Sequence, residues 1–427
     1  MVDRISTSYH DREGGTALEY GLIGHPLGHS FSKEIHEALG KYRYELCDLE
    51  EKDLHSFLTQ SDFHGINVTI PYKQAVIPYL SSISPRAKAI GAVNTVVCRD
   101  GQLSGYNTDF DGMRLGLTKA GITIRDKKVL ILGTGGTSKT AYAVATALGA
   151  KKVFKVSRTA KDGALTYEQA YQRHPDADVI INTTPCGMYP NSADSPVDLN
   201  RFTELSGVFD VIYRPICTNL VLDAKKRGIP ASGGLYMLTA QAVRAAELFT
   251  GEAFSKDRID ILYRNLLQQK RNIVLIGMPG VGKTHVGSRL SELLHRPFYD
   301  SDKVIVERIG MPIADYFAQF GEEAFRKIEA EVIAELSQLS GAVIATGGGS
   351  MTREENVRSV KRNGYLVFLD RPVDELKTSK DRPLSTDREK VRALFEVRYP
   401  IFLRIADKHI LSGKNANETA HMILEQL

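Results

Sequence analysis

The sequence predicts an α/β protein built on parallel sheets. Short apolar, β-branched runs alternate with helix-like segments along the whole chain, the pattern of strands joined by crossover helices. Two glycine-rich loops, LGTGGTS at 132–138 and LIGMPGVGKT at 275–284, each follow a strand-like run and precede a helix-like one. That is where a sheet of this kind holds phosphate, on the free N–H groups of a helix start.

Taken in order, a polar tail leads to EYGLIG, a strand, and SKEIHEALGKY, a helix; GINVTI and VNTVVC are further strands. KKVLILGTGG is a buried strand running into the first glycine turn, and TAYAVATALG is the helix after it. KKVFKVSRT, DVIINTT and GVFDVIY supply three more strands, and YMLTAQAVRAAELFTG a long helix ending at Gly251. RNLLQQKR is a polar helical stretch, and NIVLIG from Asn272 opens a second half. The main boundary is placed near Lys270, without a Pro/Gly/Ser-rich spacer.

The chain has 427 residues, 42% hydrophobic and 25% charged, enough for two to four domains with real cores. A net charge of +4 is too small and too evenly spread for a nucleic-acid footprint, and suits small anionic ligands. Cys47, Cys98, Cys186 and Cys217 form no CxxC pair, which argues against a disulfide framework or a zinc site and for a reducing compartment. The first seventeen residues have no apolar core, and no run of ~18 apolar residues occurs. A cytoplasmic protein is expected, with neither membrane nor nucleic acid as partner.

In the first loop, Gly133, Thr134, Gly135, Gly136 and Thr137 offer a tight turn and a backbone that a pyrophosphate can approach. The dinucleotide fingerprint wants a third glycine where Ser138 stands, and a plain glycine turn fits as well. The next strand ends in Ser157-Arg158-Thr159, where an NAD site often has an acidic residue. A guanidinium and two hydroxyls suit a 2′-phosphate, so NADP(H) is the expected cofactor.

Before that loop, Ser30, Ser32, Asn67-Val-Thr69, Pro71-Tyr-Lys73, Asn94-Thr95 and Asn107-Thr108-Asp109 occur in order, and INTTPCGM, DVIYRPICT and GLYMLTAQA follow it. Over roughly residues 18 to 265 the chain resembles the shikimate dehydrogenase family. The resemblance implies a two-lobed dehydrogenase: a substrate lobe over 18–115 completed by 233–265, and a Rossmann-like NADP lobe over 116–232, with 1–17 a tail. It implies NADPH-dependent reduction of 3-dehydroshikimate, with Lys73 transferring a proton and Asp109 as its partner. Ser30, Ser32, Thr69, Asn94, Asp109, Tyr213 and Gln241 would bind the substrate, with Val211 and Gly234 near the nicotinamide. Lys33 departs from the family's usual proline, and Asn182-Thr183-Thr184-Pro185 from its usual Asn-Ala-Thr-Ser.

GMPGVGKT fits GxxxxGK[ST] between a strand and a helix, the context the motif requires. Gly280, Val281, Gly282, Lys283, Thr284 and His285 would line the nucleotide phosphates, with Lys283 reaching the β/γ-phosphates and Thr284 ligating magnesium. Asp300-Ser-Asp302, GEEAFR, Gly347-Gly348-Gly349, Arg382-Pro-Leu and Arg398 follow. Over 271–427 these resemble shikimate kinase, after a connector at 266–270, and imply a P-loop kinase domain with an NMP-kinase-like parallel sheet. The resemblance gives Asp300 a part in organising Mg2+ and has Asp302 orient the acceptor hydroxyl. Arg326 and Arg398 would pair with the shikimate carboxylate, Gly348 approach its ring, and Arg382 in a lid, LKTSKDRPLSTDREK, act on the transferring phosphoryl group of ATP. Phe402 replaces a common tyrosine, Lys377 a common arginine, and the lid is slightly short.

The expected whole is a bifunctional enzyme: one half makes shikimate, the other phosphorylates it. Quinate as the dehydrogenase substrate, another acceptor or lost activity for the kinase half, and a non-catalytic pathway sensor are the alternatives.

Overall fold

The computed structural model describes residues 7–8, 18–28, 30–160, 163–255, 257–376 and 388–427. The chain divides into two compact units. The first takes in Met1–Gly187, Ser195–Tyr213 and Asp223–Leu266; the second takes in Met188–Asp194, Arg214–Leu222 and Leu267–Leu427.

The first unit holds two sheets. One contains β1 (Thr7–Ser8), β2 (Tyr20–Gly24), β3 (Glu45–Asp48), β4 (Gly65–Val68), β5 (Ser82–Ile83), β6 (Thr95–Arg99) and β7 (Gln102–Tyr106), in the order β1-β3-β2-β4-β6-β7-β5. Part of the expected tail thus pairs as β1 along β3. Within this largely parallel sheet, β6 runs antiparallel to both β4 and β7. The cause is local. Arg99 pairs with Gln102 across Asp100-Gly101, both at positive φ (50° and 73°), the two-residue hairpin turn that Asp-Gly favours.

The other sheet is wholly parallel: β8 (Lys128–Leu132), β9 (Lys152–Ser157), β10 (Leu165–Thr166), β11 (Val179–Asn182), β12 (Gly207–Asp210) and β13 (Ala231–Ser232), in the order β10-β9-β8-β11-β12-β13. The strand order reverses between β8 and β11, the switch point at which a doubly wound sheet opens a crevice for a dinucleotide. Helix Asp109–Lys119 packs on helix Leu235–Thr250. Two glycines make this possible: a Cβ on Gly112 would stand 2.6 Å from the Met237 carbonyl, and one on Gly116 2.9 Å from the Phe209 ring.

Helix Arg258–Lys270, with Leu262 and Leu266 buried, occupies the place of the expected connector. In the second unit, β14 (Asn272–Ile276), β15 (Phe298–Asp300), β16 (Val343–Ala345), β17 (Gly364–Asp370) and β18 (Lys408–Leu411) form a parallel sheet in the order β15-β16-β14-β17-β18. Ile273, Val274, Leu275, Ile344, Val367 and Phe368 are at most 2% exposed; a parallel strand covered on both faces reads as a continuous apolar run. Also within this unit, the buried Arg362 donates from Nε to Asn219 (3.2 Å) and from Nη1 to Ser192 (2.9 Å), while its carbonyl accepts from Cys217 N–H (2.8 Å).

Candidate active sites

In the first unit, Ser30, Ser32, Thr69, Lys73, Asn94, Asp109, Thr137, Val211, Tyr213, Gly234 and Gln241 line one cavity of about 160 Å³. Lys73 Nζ donates to Asp109 Oδ2 at 2.6 Å, with the two side chains only 15% and 8% exposed. Lys73 follows the end of β4, and Asp109 opens its helix. The Ser30 hydroxyl donates to Ser32 Oγ (3.0 Å) and accepts from the Ser32 N–H (3.2 Å). The Asn94 amide group donates to Gln241 Oε1 (2.9 Å) and Thr108 Oγ1 (3.0 Å). Gly234 lies against Val211 so closely that a Cβ there would meet the Val211 carbonyl oxygen at 2.1 Å. The cavity thus pairs a cation and a carboxylate with hydroxyl and amide groups, a set that can fix a polyhydroxylated acid and hand a proton to an oxygen.

The cofactor loop lies beside this cavity. Gly133 N–H bonds to Val156 at the end of β9, and Ser138 donates to the Gly133 carbonyl (2.7 Å). Ser138 therefore closes the turn where the fingerprint has glycine. Ser157-Arg158-Thr159 ends the neighbouring strand, with Arg158 exposed and the Ser157 hydroxyl donating to the Thr159 carbonyl. A Cβ on Gly136 would approach the Lys73 side chain to 3.8 Å, so the loop runs close to Lys73. A glycine turn at the sheet's switch point, with an arginine just past the end of the adjoining strand, fits NADP(H).

The departures lie off the cavity. Lys33 pairs with Glu37 at 3.8 Å. Thr183 bonds to the Leu132 carbonyl (2.6 Å) and Thr184 to Asn182 Oδ1 (2.7 Å), tying down the end of β11.

In the second unit, a cavity of about 1170 Å³ brings together the loop from Gly280 to His285, Asp300, Asp302, Arg326, Gly348 and Arg398. Lys283 is buried and donates to the carbonyls of Gly277 (2.9 Å) and Met278 (3.0 Å). Thr284 donates to Asp300 Oδ2 at 2.6 Å, and Asp300 Oδ1 accepts from the Asp302 N–H at 3.0 Å. Among the described residues no group of three or more His, Cys, Asp or Glu could hold a metal. A hydroxyl beside one carboxylate at a phosphate loop fits Mg2+, which is usually held by one or two protein oxygens, phosphate and water.

Gly321, at φ 83° and ψ 173°, breaks the helix Ile313–Leu336 just before Phe325 and Arg326. Arg326 pairs with Glu329 (2.7 Å) and Glu322 (3.1 Å), while Arg398 donates to the Gly348 carbonyl (3.0 Å). Burial and the nearby Arg326 guanidinium push Arg398 below the usual arginine range. A Cβ on Gly348 would meet the Pro279 ring at 2.5 Å. Arg382, Lys377 and most of the expected lid lie outside the described residues. Phe402 is a core residue, 1% exposed and 5.4 Å from the Phe368 ring.

Sequence reasoning missed Glu329, 2% exposed, whose other oxygen accepts from Ser350 at 2.7 Å. It also missed Arg371 and Asn415 on the cavity wall. Glu329 had a signal: a carboxylate three residues after Arg326 on a helix lies beside it.

Known proteins resemble the two parts separately. A family model described as "Shikimate dehydrogenase substrate binding domain" matches residues 22–96, and one described as "Shikimate kinase" matches residues 279–427. The shikimate dehydrogenase (NADP(+)) of Clostridium beijerinckii is 38% identical over 247 residues, 54% of this chain and 91% of that protein. Among solved structures, a chorismate mutase/shikimate 5-dehydrogenase fusion protein from Clostridium acetobutylicum is 33% identical, with a TM-score of 0.55 over 59% of this chain and 97% of the other. Shikimate 5-dehydrogenase from Thermus thermophilus, solved with NADP(H) and shikimate, is 31% identical, with a TM-score of 0.52 over 58% and 99%. The chain therefore belongs to the shikimate dehydrogenase family and carries a shikimate kinase domain after its dehydrogenase part.

Proposed function

We propose that the chain catalyses two consecutive steps: NADPH-dependent reduction of 3-dehydroshikimate to shikimate in the first unit, and phosphorylation of shikimate by MgATP in the second. The observation that carries this reading is that each unit has its own cavity, one built around Lys73 and Asp109 and the other around the phosphate loop with Arg326 and Arg398.

NADPH supplies the hydride when bound. Ser30, Ser32, Thr69, Asn94, Tyr213 and Gln241 orient the substrate's carboxylate and hydroxyls. Lys73 gives its proton to the C3 oxygen as negative charge develops there, and Asp109, 2.6 Å from Nζ, keeps the ammonium aimed. Arg158 and the loop from Gly133 to Thr137 would hold the cofactor's phosphates, and Val211 and Gly234 would lie beside the nicotinamide.

ATP supplies the phosphoryl group in the second cavity. Phosphoryl transfer is mostly positioning and charge neutralisation. Arg326 and Arg398 hold the acceptor carboxylate with forked donors, Asp302 orients the acceptor hydroxyl, and Lys283 leaves its loop carbonyls for the phosphates. Thr284 and Asp300 would hold Mg2+, and Arg382 would act on the transferring group. Cys47, Cys98, Cys186 and Cys217 form no disulfide, and the reaction chemistry is metabolic, which supports a cytoplasmic enzyme.

The test is the purified chain with 3-dehydroshikimate, NADPH, Mg2+ and ATP, with shikimate and its 3-phosphate followed over time. Phosphorylated product that requires both cofactors is expected. Shikimate without its phosphate would overturn the kinase assignment, and no product from folded protein would overturn both.

A further inference from the structure

The first unit buries a carboxyl group that this chemistry does not use. Asp210 ends β12 and Asn182 ends the neighbouring β11, opposite each other in register. Both are 0% exposed. Asp210 Oδ1 accepts two hydrogen bonds, from Asn182 Nδ2 (3.0 Å) and from the Ile212 N–H (3.0 Å). Asn182 Oδ1 in turn accepts from the Thr184 N–H (3.0 Å) and the Thr184 hydroxyl (2.7 Å). A backbone N–H can only donate, so the Asn182 amide has one orientation, with its oxygen toward Thr184 and its nitrogen toward Asp210.

These bonds fasten two turns at the ends of adjacent strands. After β12, the Ile212 that Asp210 holds stands between Val211 and Tyr213, both on the cavity wall. The Val211 N–H also bonds to the Asn182 carbonyl (3.0 Å), and the Ile212 carbonyl accepts from the Gly234 N–H (2.8 Å). After β11, Thr183 and Thr184 lie against the first glycine loop. A Cβ on Gly133 would stand 2.7 Å from Thr183 Oγ1 and 3.2 Å from Thr184 Cγ2. One buried oxygen atom thus ties the turn on the cavity wall to the turn that backs the glycine loop.

We propose that Asp210 is a positioning residue of the dehydrogenase site. As the shared acceptor of Asn182 and Ile212, it sets where Val211 and Tyr213 stand against the nicotinamide and the substrate. The proposal rests on reading the Lys73–Asp109 cavity as the dehydroshikimate site, with NADPH bound beside it. A carboxyl group that served folding alone would change only how much of the enzyme is folded. KM does not depend on that amount, so a shift in KM separates positioning from folding.

The experiment measures KM for 3-dehydroshikimate and for NADPH in the full chain. Asp210→Ala removes the shared acceptor and should raise both constants about tenfold, the scale of one buried hydrogen bond. Asp210→Asn keeps an oxygen that can accept from both donors, and should hold both constants within about threefold of wild type. Asn182→Ala cuts the tie to Thr184 and spares the bond from Ile212 to Asp210. It should raise KM for NADPH about fivefold and KM for 3-dehydroshikimate less than about twofold.

Unchanged KM values in Asp210→Ala, with only its stability lowered, would overturn the proposal. So would KM values in Asp210→Asn that rise as far as those of Asp210→Ala. If Asp210→Ala does not fold, Asn182→Ala decides: an unchanged KM for NADPH, or an equal rise in both constants, overturns the proposal. If the wild-type chain does not reduce 3-dehydroshikimate, the reading of the cavity fails, and that is a different result from an active enzyme indifferent to Asp210.

Discussion

Lys73 and Asp109, 36 positions apart in the sequence, form a 2.6 Å ion pair on the wall of a cavity. One group can supply a proton and the other can aim it. Lys73→Ala should lower the dehydrogenase kcat by about 10²- to 10⁴-fold, the usual worth of general acid–base catalysis. Kinase activity of the same preparation should stay unchanged. Parallel assays on one sample decide this: loss of both activities in folded protein would mean that the two sites do not work independently.

Arg158 should set the preference between the two nicotinamide cofactors. A hydrogen bond to a charged group contributes about 1.5–3 kcal/mol, and exposure at the end of β9 places it at the low end. Arg158→Ala should raise KM for NADPH roughly tenfold with little effect on NADH. Steady-state kinetics with both cofactors, repeated at high salt, would expose an arginine that never meets the 2′-phosphate as one whose loss changes nothing.

Glu329 should matter to stability as well as to binding. It is buried, pairs with Arg326 at 2.7 Å and accepts from Ser350 at 2.7 Å. Removing one partner of a buried pair costs about 3–5 kcal/mol, and Glu322 still offsets part of the guanidinium charge. Glu329→Ala should therefore destabilise the second unit by about 3 kcal/mol and raise KM for shikimate. Denaturant unfolding of Glu329→Ala beside Glu329→Gln checks it, with the amide expected to retain more stability than the alanine.

His36 predicts a pH dependence of stability. Its folded-state value is pushed down to about 3 from 6.5 by burial, so between those values the unfolded chain binds the extra proton. Its stabilising contribution is complete above about pH 6.5 and falls toward pH 3 by at most about 1.4 kcal/mol per unit. The neighbours around its ring are Tyr42, Tyr44, Asn67 and Phe249, none charged in that window. The difference in unfolding free energy between wild type and His36→Gln, followed from pH 7 to 4, should shrink as pH falls. A constant difference would mean that His36 protonates freely in the folded protein.

Some of this was readable from residue order and some was not. Both glycine loops stood out because a phosphate loop is local: strand, turn and helix are contiguous. Helix Asp109–Lys119 did not, because Gly112 and Gly116 argue against helix at about 1 kcal/mol each relative to alanine. They are there for the close approach of Met237 and Phe209, more than 90 residues away. The Asp100-Gly101 hairpin had a legible signal that went unused. Tyr42 and Tyr44 offered none, since their contacts with His36 exist only once the helix that carries it has packed against them. The lid arginine, Arg382, falls outside the described residues.

The make-up of the second unit bears on how such a gene could be divided. A cut at Lys270 respects the family boundary, yet it discards residues 188–194 and 214–222, which belong to that compact unit. The liberated piece would keep its glycine loop, Arg326 and Arg398, while the Arg362 guanidinium lost the side chains of Ser192 and Asn219. Two joined reading frames can be cut apart cleanly only while each retains every residue its own interior relies on. Here residues 188–194 and 214–222 are part of what the second unit's interior relies on, so a piece beginning at Lys270 would be incomplete.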